Sequence, residues 1–128
     1  MIVDSSAIVA IVLREPRWEG LVAKLAGDEP CAVGAPALVE AGLVLTAKIG
    51  KRAHGILSRL VHEASLAIIP FTDEHWPLAI QAYARFGKGR HAAALNYGDC
   101  LTYAIARFAG QPLLFVGDDF SKTDLTAA

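Results

Sequence analysis

The chain has 128 residues, 54% of them hydrophobic and 20% charged, with a formal net charge of −1. That length suits one domain over residues 1–128, and the apolar content excludes a disordered chain, because burial can offset the entropy of ordering. The longest apolar run, Ala7 to Leu13, is too short for a bilayer, Asp4 is out of place in a secretory leader, and Cys31 and Cys100 have no metal-ligand spacing. A cytoplasmic protein with reduced thiols and no membrane partner is expected.

Met1-Ile2-Val3 reads as a short strand running into Asp4, after which Ser5 or Ser6 can cap a helix through Leu13. Trp18, Leu21, Val22 and Leu25 recur with helical spacing up to Gly27. Cys31-Ala32-Val33 predicts a second strand, and Pro36 opens a helix that runs to Ile49. Leu57, Leu60, Val61 and Ala64 mark a further helix, and Leu66 to Ile69 a strand closed by Pro70. Trp76, Ala79, Ile80 and Tyr83 continue the helical period, as do Leu101, Ala104, Ile105 and Phe108 before Gly110. Pro112 to Val116 is the last strand, followed by Gly117-Asp118-Asp119. Short, wholly apolar strands alternating with amphipathic helices predict an α/β fold: a parallel sheet covered on both faces.

The charge is unevenly spread. No acid occurs from Ala41 to His62, which holds Lys48, Lys51, Arg52 and Arg59, nor from His75 to Gly98, which holds Arg85, Lys88, Arg90 and His91. A nearly neutral total can therefore hide positive faces that hold a polyanion, with both basic segments expected to flank the functional site and Lys88 and Arg90 as the candidate RNA phosphate contacts.

In a parallel sheet the site lies beyond the carboxyl ends of the strands. Asp4 and Asp118 are expected there. Glu40 has Pro36, Ala37, Leu43 and Val44 at helical spacing, an apolar face with no Lys or Arg within a turn to pair with it. Asp99 is flanked by Leu95, Thr102 and Tyr103, and otherwise reads as an N-cap after Gly98. Four carboxylates converging on one edge of a sheet repel one another unless a cation intervenes, and an all-oxygen set suits Mg²⁺ or Mn²⁺. The chemistry such a cluster serves is phosphodiester hydrolysis. Asp118 and Asp119 both follow the last strand, where alternation lets only one face Asp4; Asp118 is the expected fourth acid and Asp119 a tether for the turn. His54, His62, His75 and His91 form no ligand pair, and no phosphate-binding glycine motif is present.

Val3-Asp4-Ser5-Ser6-Ala7, Val39-Glu40-Ala41, Asn96-Tyr97-Gly98-Asp99-Cys100 and Phe115-Val116-Gly117-Asp118-Asp119-Phe120 occur in that order. Together they resemble the PIN-domain ribonucleases, specifically the VapC-type toxins of toxin–antitoxin modules, as do Gly89-Arg90-His91 and Thr123-Asp124-Leu125. The resemblance implies a three-layer sandwich around a parallel sheet, endoribonuclease activity dependent on Mg²⁺ or Mn²⁺, a homodimer and inhibition by a cognate antitoxin. It places the catalytic acids on Asp4, Glu40, Asp99 and Asp118, with Asp4 and Asp99 as metal ligands.

Two other α/β proteins of similar pattern, one a signalling domain and one an enzyme, fail on particular residues. A receiver domain needs an acidic pair after the first strand and an Asp after the third, but Asp4 is followed by two serines and no Asp lies between Asp28 and Asp73. A haloacid-dehalogenase-type phosphatase needs Asp at position 6, where Ser6 stands. The remaining alternative is a non-catalytic RNA-binding or signalling module, which would have no need of the intact acidic set.

Overall fold

A computed structural model describes all residues, 1–128. Four parallel strands, β1 (Ile2–Val3), β2 (Ala32–Gly34), β3 (Ala67–Ile69) and β4 (Leu113–Leu114), form a sheet in the order β3-β2-β1-β4. The chain steps from β1 outward to β3 and then returns to place β4 on the other side of β1. The order therefore reverses at β1, and the crevice at a reversal lies outside the strands' carboxyl ends.

The strands are apolar throughout because both faces are covered. On one face Val3, Val33 and Leu114 pack with Ile8 and Ile11 of α1 (Ser5–Val12), Leu25 of α2 (Trp18–Leu25), Ala37 and Ala41 of α3 (Ala35–Ile49) and Leu57 of α4 (Ala53–Glu63). On the other, Ile2 and Leu113 pack with Ala79, Ala82 and Phe86 of α5 (Trp76–Phe86) and with Cys100 and Tyr103 to Ala106 of α6 (Tyr97–Ala109). Successive strand residues thus feed opposite layers, as the two-residue period requires. The three-layer sandwich matches the sequence reading. Both cysteines are buried and free, and no helix is long and apolar enough to cross a membrane.

Several element ends differ from expectation. The cap of α1 is Asp4, and Ser5 and Ser6 already lie inside the helix. β4 stops at Leu114 and not Val116, because β1 offers only two residues for pairing and the Val116 N–H turns aside to Ser6 Oγ at 3.0 Å. α6 begins at Tyr97, one turn before its apolar period becomes visible, and its N-cap is Asn96 and not Asp99. α3 begins at Ala35, leaving Pro36 second, still within the turn whose N–H groups have no helical acceptor.

The basic segment from Lys48 to Arg59 does not flank the strand ends. α3 runs away from them, so Lys48 lies about 12 Å beyond Glu40 along the helix axis at 1.5 Å per residue, and Arg59 is paired with Glu63.

Candidate active site

Asp4 leaves β1 as the N-cap of α1. Its backbone N–H donates to Leu114 O at 2.9 Å, which anchors it to the end of β4. The side chain is only 3% exposed, and both of its hydrogen bonds fall on Oδ2, from Ser6 N at 3.0 Å and Ser6 Oγ at 2.6 Å. Oδ1 is left uncommitted. Ser6 Oγ also accepts from Val116 N, so one hydroxyl ties the acid of β1 to the segment leaving β4.

Glu40 stands in the second turn of α3 and is half-buried. Its Oε1 accepts a short hydrogen bond from the buried Ser5 hydroxyl. Its other oxygen lies against Gly98 at the start of α6. The apolar residues around it are not all internal, since Val39 and Leu43 are 61% and 68% exposed. Glu40 thus sits on the edge of a partly solvent-facing helix, and Ser5 and Gly98 fix its position.

Asp99 is the third residue of α6 and completes a capping box: its Oδ2 accepts from Asn96 N at 3.1 Å, while Asn96 Oδ1 accepts from Asp99 N at 2.9 Å. Again one carboxylate oxygen is tethered and the other is uncommitted. Burial pushes this carboxyl up to about 6, the charges of Asp4, Asp119 and Glu40 add to the rise, and the Asn96 backbone bond opposes it. Asp99 therefore stands within electrostatic reach of three other acids, drawn from β1, α3 and the loop after β4. No ion pair in the protein involves any of them; the three that form are Arg59–Glu63, Arg85–Asp124 and Arg107–Asp124.

Of the expected acids, Asp4, Glu40 and Asp99 are brought together. Asp118 is not among the charges that act on Asp99, and Asp119 is. The chain has left the sheet three residues before Asp118, and Gly117 then takes a left-handed φ of +102°, so strand alternation cannot assign the two acids. Asp118 closes the following turn by accepting Ser121 Oγ on its backbone carbonyl at 2.6 Å, whereas Asp119 precedes the short 3₁₀ turn Phe120–Lys122 with no capping bond from its side chain, so the tether expected of it is not formed. Ser5, Ser6 and Asn96 are the site residues that the sequence reading left out. Asn96-x-x-Asp99 was the available signal, a capping box with Asp in place of Glu.

Lys88 and Arg90 are exposed and carry no acidic partner, whereas Arg85 is held by Asp124 at 3.2 Å. Their loop is anchored next to the site, with Lys88 N donating to Leu95 O at 2.9 Å just before α6. The Arg90 guanidinium lies over the Tyr83 ring, 5.4 Å from its centroid.

Residues 1–125 match the PIN domain family. Over 126 residues the chain is 49% identical to Ribonuclease VapC36 of Mycobacterium tuberculosis, covering 98% of this chain and 91% of that protein. It is 40% identical over 127 residues to a Ribonuclease VapC of Mycolicibacterium smegmatis, covering 99% and 98%. The chain belongs to the VapC ribonucleases of the PIN-domain family. The crystal structure of VapC20 of M. tuberculosis, a toxin described as cleaving the sarcin-ricin loop, superposes with a TM-score of 0.81 at 18% identity over 99% of this chain and 97% of that one, a likeness of fold.

PIN-domain VapC ribonucleases are generally metal-dependent, and the donor set here fits a hard cation held through water. No three His, Cys, Asp or Glu side chains converge tightly enough to cage an ion by themselves. Mg²⁺ does not need such a cage, since it is commonly held by one or two carboxylates and keeps several waters. The uncommitted Oδ1 atoms of Asp4 and Asp99 supply two hard donors, and the mutual repulsion at Asp99 is what a cation would relieve.

Proposed function

We propose that this VapC is an endoribonuclease dependent on Mg²⁺ or Mn²⁺, the toxin of a toxin–antitoxin pair, acting in the cytoplasm as a homodimer and silenced by its cognate antitoxin. The observation that carries the nuclease reading is Asp99, lifted to about 6 by burial beside Asp4, Glu40 and Asp119 with no basic residue paired to any of them. A cluster so arranged is a poor structural device and a suitable cation site. The exposed Val39 and Leu43, one turn apart on α3, support a protein–protein contact there.

Asp4 and Asp99 would hold the metal, each fixed by a hydrogen bond to one oxygen and offering the other. The bound ion would supply positive charge for the phosphoryl oxygens as they gain charge during in-line displacement. Glu40, positioned by Ser5, would orient the attacking water. The fourth acid is proposed at Asp119 in place of Asp118, on the strength of its charge at Asp99. Lys88 and Arg90 would hold flanking phosphates.

Protein washed with EDTA and incubated with total cellular RNA tests this reading. Discrete cleavage products should form on adding Mg²⁺ or Mn²⁺ and not with EDTA present. RNA left intact at every metal concentration, by protein whose melting curve is unchanged, would make the chain a non-catalytic member of its family.

A further inference from the structure

We propose that Tyr97 is a base-stacking platform, so that the RNA strand is held with one unpaired nucleobase lying on its ring beside the scissile phosphate; this rests on the nuclease reading above. Tyr97 is the first residue of α6 and is 81% exposed, more than any other large hydrophobic side chain of the protein. Among the three tyrosines it alone has no partner within the chain. The Tyr103 hydroxyl donates to Asp124 at 2.7 Å, and the Tyr83 ring carries Arg90. The Tyr97 ring meets neither another aromatic ring nor a cation, and its hydroxyl makes no hydrogen bond.

The backbone beneath it is held firmly. Asn96 and Asp99 exchange the two capping-box bonds across Tyr97, and Gly98 is pressed against Glu40. A ring on so fixed a base loses little freedom when a second ring stacks on it. It stands two residues from Asp99, and the loop that carries the exposed Lys88 and Arg90 is tied through the Lys88 N–H to Leu95 O, two residues before the ring. A cationic track for the backbone next to an exposed aromatic face is the arrangement by which proteins hold single strands with little regard to sequence. A paired base keeps its faces buried in the helical stack, so the arrangement selects an unpaired nucleotide. A protein partner is the less favoured occupant, because the ring's chain neighbours Asn96 and Asp99 are polar and charged, Gly98 has no side chain, and the exposed apolar Val39 and Leu43 belong to α3 and not to α6.

The test uses two fluorescein-labelled oligomers of equal length and charge: adenosine RNA, and a chain of abasic tetrahydrofuran phosphates. Binding is measured in EDTA, where cleavage is halted, to wild type, Tyr97→Ala, Tyr97→Phe and Tyr97→Trp. Tyr97→Ala should weaken the adenosine oligomer about tenfold and leave the abasic one unchanged, while Phe and Trp keep the affinity. Lys88→Ala with Arg90→Ala should instead weaken both oligomers. Equal loss on both oligomers, or no loss on either, overturns the stacking role, as does a change of oligomeric state in Tyr97→Ala, which would make the ring a subunit contact. If total RNA is also left uncut by wild type in both Mg²⁺ and Mn²⁺, the nuclease reading itself has failed; if it is cut in either, only the Tyr97 assignment falls.

Discussion

The Glu40 carboxylate occupies the space that a side chain on Gly98 would fill: a Cβ there would collide with Oε2 and lie 2.9 Å from Cδ. α3 and α6 meet through this contact, which makes the glycine a steric condition on where Glu40 stands. Gly98→Ala should therefore displace the carboxylate and cut RNA cleavage by more than about tenfold, while stability changes by no more than about 1 kcal/mol, because only the end of the flexible Glu40 side chain has to give way. Glu40→Ala should lose activity too, and the double variant little more than the more damaging single one. Melting curves and cleavage rates for the two single variants and the double one measure this, and activity losses that multiply in the double variant would mean that Gly98 does not act through Glu40.

Asp4→Asn and Asp99→Asn should each lower cleavage by more than about a hundredfold, since each removes a charge from a two-carboxylate metal site. Both amides can still accept the hydrogen bonds now made to Oδ2, so the caps survive. In EDTA the melting temperature should hold or rise, because one of four repelling charges is gone. Full activity in either variant at defined Mg²⁺ removes that residue from the site.

Asp119→Asn should reduce cleavage about tenfold or more, and Asp118→Asn less, because Asp119 is among the charges that raise the Asp99 carboxyl. Asp118 bonds Ser121 through its backbone carbonyl, which the substitution keeps, so its stability should change by less than about 0.5 kcal/mol. Rates at saturating Mn²⁺ decide between the two; an inactive and normally folded Asp118→Asn returns the fourth position to the sequence assignment.

The strands and the layer order were legible because burial on both faces leaves a plain record in residues such as Ile2, Val3, Leu113 and Leu114. The end of β4 was not, since it depends on Ser6 capturing Val116 from 110 residues away in sequence. For the same reason the choice between Asp118 and Asp119 was out of reach: alternation holds only while the chain stays extended, and Gly117 breaks it. Glu40 was conspicuous as an unpaired acid among apolar neighbours, yet the sequence could not tell which of those neighbours faced water, and Leu43 does. Charge counted along the chain also misled, because Lys48 and Glu40 share a helix and stand about two turns apart.

Neutralising Lys88 and Arg90 together should weaken RNA binding and lower the slope of log affinity against log salt by up to about two phosphate contacts. Neither side chain is tied to an acid, so the stability cost should stay within about 0.5 kcal/mol. Binding isotherms at several salt concentrations give the slope. An unchanged slope would show both charges to be solvated bystanders.

Asp99 holds its proton up to about 6 in the folded, metal-free protein, chiefly through burial, while in the unfolded chain an aspartate loses it near 4. The folded state therefore binds the extra proton between those values. This group favours folding most below about pH 4, and its contribution is lost as the pH rises through about 6. Other carboxylates titrate in the same range, so the contribution is isolated as the difference between wild type and Asp99→Asn. In EDTA the variant should melt at or above wild type near pH 7.5, and the gap should close in wild type's favour towards about pH 5. Mg²⁺ acts in the opposite sense, because cation and proton compete for the same carboxylate: it should raise the wild-type melting temperature near neutral pH, progressively less below about 6, and leave Asp99→Asn almost unaffected. Melting curves of both proteins at the two pH values, with EDTA and with Mg²⁺, test each part. A wild type that gains on the variant as pH rises in EDTA would show that Asp99 is not held protonated, and a variant that responds fully to Mg²⁺ would place the cation elsewhere.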